Sequence, residues 1–134
     1  MAVQLSVAVR NAGLDTIEST TGATAKLQLR TGAQPADCAT AASGTLLAEL
    51  TLPSDWMAAA SGGAKAKAGT WSGTGAAAGS AAHFRLVDNA ATTCHMQGSV
   101  TATGGGGDLT MDNVVIAVSQ AITVNTFTVT AANA

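Results

Sequence analysis

The stretch Ala82-His83-Phe84-Arg85-Leu86-Val87-Asp88, followed across Asn89-Ala90-Ala91-Thr92 by Thr93-Cys94-His95-Met96-Gln97-Gly98-Ser99-Val100-Thr101-Ala102-Thr103, decides how this chain folds. Valine and threonine stiffen χ1 and pack well on a pleated surface, so both runs favour extended backbone. The Asp88-Asn89-Ala90-Ala91 connection has turn chemistry but is longer than a two-residue hairpin, which predicts two antiparallel strands joined by a wider loop. Downstream, Gly104-Gly105-Gly106-Gly107 marks a turn, and strands are predicted at 109–111, 114–118 and 122–129, the last being Ile122-Thr123-Val124-Asn125-Thr126-Phe127-Thr128-Val129.

Upstream, Ala25-Lys26-Leu27-Gln28-Leu29-Arg30 alternates as a half-buried strand, and 34–44 is a loop of small and polar residues. Residues 45–52 place Leu46, Ala48, Leu50 and Leu52 on one strand face and stop at Pro53, which lacks the amide to continue a ladder. Ser54 or Asp55 can cap one or two helical turns over 54–60, ended by Ser61-Gly62-Gly63. A strand is predicted over 66–72 and an exposed loop over 73–80. At the N-terminus, Val3, Leu5, Val7 and Val9 alternate as in a strand, whereas Val3, Val7, Leu14 and Ile17 fit one helical face. The length of 2–18 favours helix, ending within 19–22, with Gly13 costing it about 1 kcal/mol against alanine.

Strands at this spacing with one flanking helix predict a mainly β chain, an antiparallel β-sandwich or jelly-roll-like fold with an N-terminal helix. It forms a single domain over 1–134, in which 1–22 is the helical arm and 23–134 the sandwich. The predicted core is Leu27, Leu29, Leu50, Leu52, Phe84, Leu86, Met96, Val100, Ile116, Val124 and Phe127.

Composition narrows the function. Trp56, Trp71, Phe84 and Phe127 are the only aromatic residues, so burial must come mainly from aliphatic side chains worth about 1.5–3 kcal/mol each. Charged residues make up 10% of the chain, against about 25% in an average soluble domain. The net charge of −2 comes from scattered residues, with no basic run to neutralise phosphates, and this argues against nucleic acid as a partner. No apolar run approaches the roughly 20 residues of a membrane span, and Met1-Ala2-Val3-Gln4-Leu5 lacks the features of a secretion signal. No membrane partner is expected, and the chain is expected to be made in a cytoplasm.

Cys38, Cys94, His83 and His95 are zinc-ligand types, but adjacent strand residues point to opposite faces, so Cys94 and His95 do not share a metal easily. In a reducing compartment two separate buried thiols are the default. The alternative is a Cys38–Cys94 disulfide, contributing about 4 kcal/mol on the chain-entropy account, and favoured if the protein ends outside a cell. The glycine run before Asp108 lacks the Gly-Lys-Ser/Thr ending and following helix of a phosphate loop. Asp108 and Asp112 lack the dense oxygen spacing of a calcium loop and read as turn and cap residues. Gly-x-Ser-x-Gly and His-Glu-x-x-His are both absent. No catalytic, cofactor-binding or metal-ligating residue is therefore expected.

Four segments carry a resemblance: Val9-Arg10-Asn11-Ala12-Gly13-Leu14-Asp15-Thr16-Ile17-Glu18, Leu50-Thr51-Leu52-Pro53-Ser54-Asp55-Trp56, His83-Phe84-Arg85, and Thr101-Ala102-Thr103-Gly104-Gly105-Gly106-Gly107-Asp108. In these the chain resembles a group of small tailed-bacteriophage virion structural proteins, over most of its length. The resemblance implies a non-enzymatic particle component located in the virion and assembled in the host cytoplasm. Among such roles a capsid cement or decoration protein, homo-oligomeric and bound to the major capsid protein or other virion proteins, suits a low-charge Thr/Ala/Gly-rich surface. A tail, neck or fibre-attachment module is the alternative, and a carbohydrate-binding host-recognition module a third. Contact with neighbouring subunits is expected from the apolar arm 2–18 and the loop 62–80.

Overall fold

Alternation puts Phe84 and Leu86 on one face of an extended segment and His83, Arg85 and Val87 on the other. In the computed structural model, which describes residues 3–131, that segment is the centre of a five-stranded sheet. The elements run α1 (Val7–Thr21), β1 (Lys26–Arg30), β2 (Leu46–Thr51), β3 (Ala64–Ala66), β4 (Trp71–Thr74), β5 (Gly79–Ser80), β6 (His83–Val87), β7 (Cys94–Ala102), β8 (Leu109–Met111), β9 (Val115–Ile116), β10 (Ala121–Val124) and β11 (Thr128–Thr130). The fold is mainly β and sandwich-like, with one N-terminal helix. Expectations that fall on residues 1–2 and 132–134 lie outside the described residues.

The main sheet has the order β2-β1-β6-β7-β8. The predicted hairpin is β6–β7, with Leu86 opposite Met96 and Phe84 opposite Gly98. Its register slips at Leu86/Val87, where Val87 faces Cys94 and His95 becomes the extra residue of a bulge. A second slip, between Leu29 and Arg30, leaves Leu47 without a partner opposite it. Leu47 is fully buried while Leu46 is only half-buried, so the expected Leu46/Ala48/Leu50/Leu52 face is corrected at its first member.

The glycine turn does something the alternation did not anticipate: β8 runs parallel to β7, with Val100 beside Leu109 and Ala102 beside Met111. Parallel neighbours ordinarily need a crossover of about a dozen residues or more, whereas here 103–108 suffice because the chain doubles back tightly on β7. Gly104 and Gly106 take φ of +88° and +81°, and a Cβ on Gly105 or Gly107 would come within 2.8 Å of Thr101. Asp108 fixes the return by accepting from the Ser99 amide (3.0 Å) and hydroxyl (3.2 Å).

The second layer is one interrupted antiparallel ribbon, residues 63–81 against 114–131. It comprises β3–β11, β4–β10 and β5–β9, linked by Lys67 N–H to Phe127 O, Gly75 N–H to Gln120 O and Ala81 N–H to Val114 O. The register is continuous except for one extra residue near Gly69, whose φ of +68° makes the bulge. Three expectations are corrected here. The predicted 66–72 strand is broken at that bulge, and the predicted loop 73–80 is largely ribbon, with Gly75 buried and Gly79–Ser80 paired. The predicted 122–129 strand is two strands, separated where Phe127 turns into the core.

Between the layers all four aromatic rings are buried in a row. Trp56 lies 6.0 Å from Trp71, Trp71 5.5 Å from Phe127, and Phe127 5.6 Å edge-on from Phe84. Every residue of the predicted core joins this cluster, Met96 from its partly buried margin. Leu47, Trp56, Met57, Trp71, Leu109, Met111, Ile122 and the alanines Ala25, Ala48 and Ala81 complete its buried part. Trp71 Nε1 donates to Trp56 O (3.0 Å) and Trp56 Nε1 to Gly22 O (2.9 Å), so each buried indole N–H is satisfied.

Candidate functional site

The helix is capped by Ser6, whose hydroxyl accepts from Val9 N–H, and ends at Gly22 with φ +94°. Leu14 and Thr21 are buried and Ile17 packs on the core, so the inner face is 14/17/21. The expected face through Val3 and Val7 is corrected, because Val3 precedes the helix and Val7 points outward. Around the inner face, polar groups strap the helix to the ribbon. Arg10 Nη1 donates to Ala131 O (3.2 Å), Asn11 Oδ1 accepts from Gly63 N–H (2.9 Å), and Asp15 accepts from Lys65 Nζ (2.8 Å) and Ala60 N–H (2.9 Å). The Met57 amide donates to the Glu18 carboxylate. Ala58 N–H donates to Ala66 O. The Ala58 and Ala60 amides are the ones a helix over 54–60 would bond to its own carbonyls, and both are bonded elsewhere, so the segment holds no helical turn and the predicted helix is corrected. Lysine and amide donors hold the Asp15 carboxyl below its usual value, the Lys65 hydrogen bond being the larger cause.

What the strap leaves outside is apolar. Val3, Leu5, Val7 and Val9 expose 79, 48, 45 and 53% of their surfaces. Large aliphatic groups scattered singly on a surface mean little, but here four are exposed within seven residues, Val3 and Leu5 before the helix and Val7 and Val9 in its first turn. The remaining large exposed apolar residues among those described are Val115 and Val118 on the ribbon. Of the arm 2–18, residues 3–9 are exposed, whereas Leu14 is buried and Ile17 packs on the core. Residues 62–80 are engaged within the chain.

The loop 31–45 crosses the outer face of the main sheet. Gln97 Nε2 donates to Pro35 O (2.8 Å), Arg85 Nη2 to Cys38 O (3.0 Å), and His83 Nδ1 lies 2.9 Å from Gly32 O. Cys38 and Cys94 are joined as a disulfide with Cα atoms 5.2 Å apart, and no described cysteine is free. The default of two separate thiols gives way to the alternative pairing, and neither sulfur is a thiolate for a metal. His83, at the far end of β6 from Val87 and Cys94, is buried, and its Nε2 has no hydrogen-bond partner among the described residues. No three His, Cys, Asp or Glu side chains come together among the described residues. Asp108 holds the glycine turn, and Asp112 accepts from Thr103 Oγ1 (3.4 Å) and Asn125 Nδ2 (3.3 Å), both consistent with turn roles.

Sequence reasoning missed the polar row beneath that loop. Glu49, Gln28, Arg85 and Gln97 stand opposite one another on β2, β1, β6 and β7, with Arg30 two residues from Gln28 on the same face. Gln28 Nε2 donates to Glu49 (2.8 Å), Arg30 Nε to Gln28 Oε1 (3.1 Å) and Arg85 Nη1 to Gln97 Oε1 (3.1 Å). The signal was present in the alternation, which puts Gln28, Arg30 and Arg85 on the face opposite Leu27, Leu29, Phe84 and Leu86.

No protein family, curated protein or solved structure matches this chain. Among the described residues no helix is long and apolar enough to cross a membrane.

Proposed function

We propose that this chain is a non-enzymatic structural component of a tailed-phage virion, a cement protein that binds the assembled major capsid lattice through its N-terminal arm. The observation that supports the reading is the exposure of Val3, Leu5, Val7 and Val9 at the start of a strapped helix, beside a body with few charges. A valine moved from partial exposure into a contact gains about 1 kcal/mol, and many such sites add across a shell. A subunit that binds the lattice and not the dissociated coat stabilises the shell by mass action, about 2.7 kcal/mol per site at a hundredfold excess over Kd. The contact is largely neutral, so high salt weakens it only slightly. A carbohydrate-binding role is disfavoured by the burial of all four aromatic rings, which leaves none to stack on a sugar. The test is binding of the chain carrying Val3→Ser, Val7→Ser and Val9→Ser to capsids lacking the native protein. The variant stays folded, because these side chains are outside the core, and loses affinity tenfold or more. Unchanged affinity removes the arm as the contact.

A further inference from the structure

Where the loop 31–45 spans the outer face of the main sheet it encloses a cavity of about 280 Å³, lined by Arg30, Arg85, Gln28, Thr40, Thr92 and the Cys38–Cys94 disulfide among others. Two of the chain's basic residues converge there, and no carboxylate is among the lining residues. Arg85 is 5% exposed and fixed by Gln97 Oε1 and Cys38 O, so its guanidinium is buried and held in one orientation. Arg30 spends its Nε on Gln28, while its Nη1 and Nη2 hydrogen-bond to no described residue. The nearby carboxylates hydrogen-bond to other groups, Glu49 to Gln28, Asp37 to Thr40 and Asp88 to Thr92 and Thr93, while Glu49 and Asp37 still act on Arg30 and Arg85 through space without a direct ion pair.

We propose that this cavity binds a small tetrahedral oxyanion of the phosphate class between the guanidinium groups of Arg30 and Arg85. Two like charges on one sheet face repel, and burial together with Arg85 holds Arg30 below its ordinary pKa even though Glu49 acts the other way. An anion between them removes that repulsion and takes up the free Nη donors in charge-assisted bonds, a geometry guanidinium groups suit better than ammonium. A dianion gains from both arginines at once, whereas a monocarboxylate carries half the charge.

The test titrates sodium phosphate, sodium acetate and sodium chloride at matched ionic strength and pH into the full oxidised chain, following binding by calorimetry and arginine Nε–Hε resonances by NMR. Saturable phosphate binding that shifts the Arg30 and Arg85 resonances is expected, with acetate at least tenfold weaker and chloride without saturable effect. Arg30→Gln raises the phosphate Kd at least tenfold, whereas Lys26→Gln, which removes a half-buried charge from the same strand that lies outside the cavity lining, leaves it unchanged. Equal affinity in Arg30→Gln, equal losses in both variants, or phosphate shifts confined to other residues overturn the site. Should Arg30→Gln fail to fold, the resonances of the unmodified chain decide alone.

Discussion

Reducing the Cys38–Cys94 bond should be the largest single covalent perturbation this fold can suffer. The bridge joins residues 56 positions apart, and closing a loop of that length removes about 14 cal/mol/K from the unfolded chain, or about 4 kcal/mol at 25 °C. For a domain of ordinary stability, about 5–15 kcal/mol, that is a large fraction of the total. The native state loses less, because Gln97, Arg85 and His83 still contact the loop backbone at Pro35, Cys38 and Gly32. The assay is urea unfolding of the oxidised chain, the reduced chain and the Cys38→Ser/Cys94→Ser variant. With a slope of about 2 kcal/mol/M, the midpoint should fall by about 2 M in both thiol-free forms, and the slope should rise as the unfolded chain expands. A loss below about 1 kcal/mol would refute the reasoning and mean that the unfolded chain already holds these segments together.

Phe84→Ala removes the ring that meets Phe127 edge-on between the layers and should cost about 3–5 kcal/mol in the same assay; a loss under 1 kcal/mol would take it out of the core. Gly107→Ala sets a methyl within 2.8 Å of Thr101 and should loosen β8, read as faster amide exchange at Leu109–Met111 with β1 and β6 protected as before. Asp15, Asp37 and Asp88 are all held below their usual pKa, chiefly by Lys65, by Thr40 and by the Thr92 amide respectively. Depressed carboxyl pKa values contribute stability that is present above the unfolded value near pH 3.9 and lost as pH falls through the folded values. The urea midpoint should therefore be flat from pH 7 to about pH 5 and decline below about pH 4, less steeply in Asp88→Asn.

The main sheet was legible because its alternation pairs large residues with polar ones: Leu27 and Leu29 against Gln28, and Phe84 and Leu86 against Arg85. The ribbon was not, because its inward positions are often glycine and alanine, whose burial leaves no hydrophobic signal. A Cβ on Gly75 would come within 2.1 Å of Ala117 O and one on Gly73 within 3.0 Å of the Leu50 side chain, so neighbouring backbone and the opposite layer's side chains occupy that space. Residues 122–129 read as one strand because a period of two says nothing about where Phe127 must leave the ladder to reach Trp71 and Phe84. Residues 54–60 carried genuine helix-start signals, and acceptors from α1, Asp15 and Glu18, outcompeted them. The arginine cavity needs the loop and two strands in place at once, so only the shared face of Arg30 and Arg85 could be read in advance.

The central claim, that this chain coats a capsid lattice, is tested most directly by counting its copies in purified particles with quantitative mass spectrometry. Hundreds of copies per particle, falling sharply in particles assembled with the Val3→Ser/Val7→Ser/Val9→Ser chain, are what the account predicts. Tens of copies or fewer, or none, would contradict it.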